Sequence, residues 1–75
     1  MTRFDKELDV RGLNCPLPLL RAKKSLSQMM PGEVLKVLTT DPAAEIDFKV
    51  FSELSGNPLL CVEKEETCLV FYFRK

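Results

Sequence analysis

The spacing of apolar residues changes several times along the chain, and each change marks an element. Phe4, Leu8 and Val10 fall in phase within a weakly alternating stretch, which predicts a first strand from Phe4 to Val10. Arg11-Gly12-Leu13-Asn14 reads as a turn. The period then becomes helical: at ~100° per residue, Leu19, Ala22, Leu26, Met29 and Met30 share one stripe, the predicted core face. Pro16 suits a first helical position, where its missing N–H costs nothing, and a proline pushes the residue before it out of the α region. Cys15 is therefore the expected N-cap. Pro18 is tolerated in the same first turn, and the helix is expected to run to Met30 and stop at Pro31-Gly32.

Val34 to Thr39 is a nearly continuous apolar, β-branched run, the pattern of a well-buried strand. Asp41-Pro42 repeats the helix-start logic, with Asp41 as N-cap and Pro42 in the first position. Ala44, Phe48, Phe51 and Leu54 supply the second helix's apolar face, and Ser55-Gly56-Asn57-Pro58 ends it. Two strands are then predicted, Leu59 to Lys64 and Thr67 to Arg74, joined at Glu65-Glu66. The order βαβαββ predicts an α/β (α+β) two-layer sandwich, with two helices on one face of a four-stranded mixed sheet. With a two-residue turn, Leu60, Val62, Leu69, Phe71 and Phe73 share the helix side, and Cys61, Cys68, Val70 and Tyr72 the opposite side.

Composition narrows the function. The length of 75 residues predicts a single domain over 1–75. Eleven basic and eleven acidic side chains give zero formal net charge, which argues against direct nucleic-acid binding. Met1 to Glu7 has no apolar run of the kind a signal peptide needs, and no stretch approaches the roughly 18 apolar residues of a membrane helix, so a soluble, cytoplasmic protein without direct membrane binding is expected. Three cysteines at unrelated spacings make no disulfide framework and fit a reducing compartment. There is no histidine, so no Cys-His or Ser-His pair can form within the chain. There is no CxxC, hence no expected metal, and no glycine-rich phosphate loop. No cofactor is expected.

Cys15 is the remaining candidate for chemistry. Backbone N–H groups and the dipole at a helix N-terminus favour an anion, so a thiol there tends toward its reactive thiolate. With prolines at two of the first positions, the Leu17 N–H is the nearest capping donor, and moderate activation is expected. A thiol without an internal base suits accepting and handing on a group while a partner supplies acid-base catalysis. Leu17, Arg21, Lys24 and Gln28 fall opposite the core stripe. An apolar Leu17 beside the thiol, followed by Arg21 and Lys24, suggests a docking surface. A tolerated surface leucine is the alternative reading. Cys61 and Cys68 read as small apolar fillers in strands.

Leu8-Asp9-Val10-Arg11-Gly12-Leu13-Asn14-Cys15-Pro16-Leu17-Pro18 resembles the CPxP signature of the TusA/SirA-like sulfur-carrier family. The resemblance continues through Met30-Pro31-Gly32-Glu33, Thr40-Asp41-Pro42-Ala43 and the closing Tyr72-Phe73-Arg74-Lys75. It implies that Cys15 is the catalytic residue, supported by Pro16, Leu17 and Pro18 of the motif. Cys15 would accept sulfane sulfur as a persulfide from a cysteine desulfurase or rhodanese-like donor. A downstream acceptor protein would then receive it, for tRNA 2-thiolation, molybdenum-cofactor supply or sulfur oxidation. Leu17 stands where members devoted to tRNA thiolation often carry an acidic residue, so the pathway is left open. The implied activity is that of a sulfurtransferase-type carrier acting with partner enzymes. Two rival classes stand beside it: a thiol redox protein resolving through Cys61 or Cys68, and a regulatory or RNA-binding module in which Cys15 is structural.

Overall fold

Parallel pairing of the first two strands brings the two helix-starting loops to one edge of the sheet. In the computed structural model, which describes residues 3–75, the elements run β1 (Lys6–Asp9), α1 (Leu17–Ser27), β2 (Val34–Thr39), α2 (Ala44–Ser55), β3 (Leu59–Lys64) and β4 (Leu69–Arg74). Met1 and Thr2, at the start of the expected domain, lie outside those residues. The four strands form one mixed sheet in the order β1-β2-β4-β3. β1 runs parallel to β2, with Leu8 opposite Val37, while β4 is antiparallel to both β2 and β3. Both helices pack on the same face. Ala22, Leu26, Ala44, Phe48 and Phe51 from the helices meet Leu35, Val37, Phe71 and Phe73 from the sheet. Phe48 stands edge-on to Phe71 and Phe73, with ring centroids 4.7 and 5.4 Å apart, a favoured aromatic geometry. The expected two-layer architecture is the observed one.

Several boundaries differ from the expectation, each for a local reason. The first strand is shorter: Phe4 lies before β1, exposed beneath the Lys36 ammonium, whose Nζ is 4.9 Å from its ring centroid. Val10 lies beyond β1 but is buried, and its N–H donates to the Leu38 carbonyl. α1 ends at Ser27 rather than Met30. Its terminal Leu26 carbonyl accepts from Lys75 Nζ at 2.7 Å, and Met30 turns out to solvent at 69% exposure. α2 begins at Ala44 with Ala43 as N-cap, so neither Asp41 nor Pro42 holds its expected position. Asp41 still serves the helix start, because its Oδ1 accepts the Ala43 N–H at 3.0 Å and its carbonyl the Ala44 N–H. Gly56 closes α2 in the left-handed conformation, φ 80°, that favours a residue without Cβ. Leu54 is not on the core face; it is 83% exposed, and at ~100° per residue it lies about 120° around the helix from buried Phe48.

The closing hairpin is wider than expected. Lys64 pairs with Leu69, so four residues make the loop instead of two, and the Glu65 N–H donates to the Cys68 carbonyl. The register moves by two residues, which preserves the faces of Val62, Leu69, Phe71 and Phe73. A bulge between Leu59 and Cys61 then exchanges two neighbours: Leu59 packs against the core, and Leu60, expected there, is 41% exposed. Cys68 lies in the loop, not in a strand, and is buried with Val70 and Tyr72 on the sheet face away from the helices. Cys61, in β3, packs partly buried against that second cluster.

Candidate functional site

Cys15 sits on the loop that follows β1, at the edge where β2 also ends. Five hydrogen bonds shape that loop. Arg11 doubles back on Asp9, donating its backbone N–H and Nε to Oδ1 at 3.1 and 2.9 Å, and Nη2 to Oδ2 at 2.7 Å. That guanidinium holds the Asp9 carboxyl down at about 2. Gly12 adopts φ 85°, a conformation open to glycine at little cost, and its N–H donates to Thr40 Oγ1 at 2.9 Å. Leu13 N–H returns to the Val10 carbonyl. The Gly12–Thr40 bond ties the loop before α1 to the loop before α2, which adjacent parallel strands place side by side.

The helix cap differs from the sequence expectation. Pro16, not Cys15, is the N-cap, Leu17 is the first helical residue, and Pro18 the second. No side chain caps the helix, and the Leu17 N–H, expected to serve the sulfur, donates instead to the Asn14 carbonyl at 2.9 Å. Cys15 is thus one residue too early to receive the helix's N–H groups. Its exposed thiol finds an acceptor across the loop: Sγ donates to Asp47 Oδ2 at 3.2 Å. Asp47 lies in the first turn of α2 and is half-buried. The carboxylate reverses the expected activation. The hydrogen bond to Asp47, then burial, then the charges of Asp47 and Asp41 raise the Cys15 thiol above its ordinary value. A neighbouring anion disfavours a thiolate.

Donor atoms of Cys15, Asp41 and Asp47 lie within 4.8 Å of one another. Asp47 is bonded to the thiol and buried Asp41 to the Ala43 N–H. The cluster is accounted for by these contacts, which give no ground for a metal assignment.

The three expected docking residues, Leu17, Arg21 and Lys24, are all exposed on α1. Leu20, which the sequence reading passed over, is 52% exposed beside them, and Leu17 is 45% exposed. Between the helices runs an open, largely apolar groove lined by Leu19, Lys23, Asp47, Val50 and Phe51. Asp47 therefore touches both the sulfur and the groove. Its sequence signal was slight: an acidic residue in a helical first turn is ordinary, and nothing local says that this turn faces Cys15. Cys68 is buried, unlike Cys15. Burial and Glu65, whose Oε1 accepts from Sγ at 3.7 Å, push its thiol up.

The comparisons with known proteins agree along the length of the chain. Residues 6–75 match the family model described as Sulfurtransferase TusA. The chain is 48% identical over 75 residues to a protein of Allochromatium vinosum named sulfur carrier protein TusA, covering 100% of this chain and 99% of that one. It is 38% identical over 73 residues to the putative sulfur carrier protein YrkI of Bacillus subtilis, covering 97% of each. The crystal structure of a SirA-like protein from Desulfitobacterium hafniense superposes with a TM-score of 0.82 at 25% identity, over 93% of this chain and 96% of that one. With its CPLP turn, its two-layer βαβαββ sandwich and these matches, the chain belongs to the TusA sulfurtransferase family.

Proposed function

We propose that this protein is a sulfur carrier that holds sulfane sulfur as a persulfide on Cys15. The observation that carries the proposal is an exposed thiol in the CPLP turn of a chain whose relatives are named sulfur carriers. In the loading step the Cys15 thiolate attacks the terminal sulfur of a donor persulfide. A new S–S bond forms at Sγ, the donor's S–S bond breaks, and the donor leaves as a thiolate. The sulfur moves without net oxidation or reduction, and the proton from Sγ passes to solvent or to the departing thiolate. The chain has no histidine to assist. A cysteine desulfurase or a rhodanese-like enzyme is the fitting donor, since each generates such a persulfide. The acceptor is a downstream protein in tRNA 2-thiolation, molybdenum-cofactor supply or sulfur oxidation. Reduced thiols suit the cytoplasm for this exchange.

Pro16, Leu17 and Pro18 support the reactive turn in this reading, and Leu17, Arg21 and Lys24 form the docking face. Exposed Leu17 and Leu20 supply apolar contact, while Arg21 and Lys24 attract an acidic partner surface. A redox role is less well supported. Both other cysteines belong to the cluster on the sheet face away from the helices, whereas the Cys15 sulfur reaches across to α2. Incubation with a desulfurase and cysteine, followed by intact-mass analysis, tests the proposal. One extra sulfur is expected on the wild type, Cys61→Ser and Cys68→Ser, and none on Cys15→Ser. Loading that survives Cys15→Ser would refute it.

A further inference from the structure

Asp47 faces the reactive sulfur from the neighbouring helix, and persulfide formation alone does not require it. Its Oδ2 accepts the Sγ–H at 3.2 Å, and its side chain also lines the groove between α1 and α2. Accepting that Cys15 is the carrier thiol, we propose that Asp47 is a positioning residue that keeps the resting thiol protonated and aimed, so that the nucleophile is released only when a docking partner takes over the carboxylate. The partner chemistry is specific: a cation or N–H donor entering the groove, which engages Asp47 and leaves the sulfur without its acceptor.

The surrounding charges favour this direction. From the loop before α2, Asp41 adds a second negative charge close to the sulfur. In the loop before α1, Arg11 is engaged with Asp9. From α1, Lys23 shares the groove with Asp47 but holds its Nζ over the Phe51 ring, 5.8 Å from the centroid. The thiol is raised above the ordinary 9.0, with the Asp47 bond as the leading cause. Only the thiolate is nucleophilic, so below that value reactivity scales with the small ionised fraction. A carboxylate in this position suppresses background reaction with oxidants and stray electrophiles. After loading, the bond cannot re-form, because Sγ carries sulfur in place of hydrogen. An ionised outer sulfur is then repelled by the Asp47 carboxylate.

Alkylation of Cys15 by iodoacetamide over a pH series tests this without any partner, on the full chain carrying Cys61→Ser and Cys68→Ser. Asp47→Asn and Asp47→Ala should each move the alkylation profile to lower pH and raise the rate at neutral pH about threefold or more. A helix defect alone would alter circular dichroism and would not shift the pH profile toward acid. Profiles superposing on that of the parent would overturn the proposal. Slower alkylation in Asp47→Asn would overturn it too, since that outcome marks the carboxylate as a base that helps to ionise the thiol. Desulfurase loading of the same proteins separates the two readings. If the Asp47 variants alkylate faster while no protein, wild type included, takes up sulfur, the carrier role fails and the hold of Asp47 on the thiol stands.

Discussion

Phe48 and Leu54 both belong to the apolar residues of α2, but six residues at ~100° each set them about 120° apart around the helix, and their substitutions should differ greatly. Phe48 is fully buried, edge-on to Phe71 and Phe73, whereas Leu54 is 83% exposed. Truncating a buried phenylalanine removes its transfer energy and leaves a cavity, a loss of about 3–5 kcal/mol. The closeness of both rings and the full burial place Phe48→Ala in the upper part of that range. A domain of 75 residues has a total stability of about 4–11 kcal/mol, so this change removes a large share of it. The thermal midpoint should fall by more than about 12 °C, at about 4–8 °C per kcal/mol for a chain of this size. Leu54→Ala should stay within about 0.5 kcal/mol of wild type, as an exposed helical position does. Urea unfolding followed by circular dichroism measures both, with the midpoint shift read at constant slope. Similar losses in the two variants, or a loss below about 1.5 kcal/mol for Phe48→Ala, would refute the packing described. Because Phe48 follows Asp47 directly, Phe48→Leu, which keeps an apolar plug, offers a milder test of how firmly the core seats the carboxylate facing Cys15.

Two further outcomes are expected. Arg21→Glu combined with Lys24→Glu should slow loading from a desulfurase roughly tenfold at low salt, and the gap should close as salt rises, because exposed charges act mainly through screened steering; equal rates throughout the salt series would put the docking face elsewhere. In an NMR pH titration, Asp9 should remain ionised until the pH falls to about 2, and Arg11→Ala should return it toward its ordinary 3.8. The sign follows from the depressed value. The pair's contribution is present above 3.8 and is lost as pH falls through about 2, and it is small at so exposed a site. An Asp9 titration unchanged by Arg11→Ala would show that the ion pair does not form in solution.

Local chemistry along the chain determines much of this protein without any tertiary contact. β2 and β3 have the bounds expected from the sequence. α2 ends at Ser55 because Gly56 alone can take the left-handed turn that follows at little cost. The CPLP turn marked Cys15, and the opposite spacing of Leu17, Arg21 and Lys24 marked an exposed face, which the structure bears out as exposure. Tertiary structure decided the rest. α1 starts at Leu17 rather than Pro16, with the Leu17 N–H turned to the Asn14 carbonyl, and that one-residue difference removed the sulfur from the helix N–H groups. The bulge that exchanges Leu59 for Leu60 answers to the fit of β3 against β4, which alternation within β3 cannot reveal. Above all, Cys15 and Asp47 stand 32 positions apart in the chain. They meet because β1 and β2 pair in parallel and bring their following loops to one edge. Strand pairing is a long-range choice, and it brings beside the thiol the carboxylate that raises it.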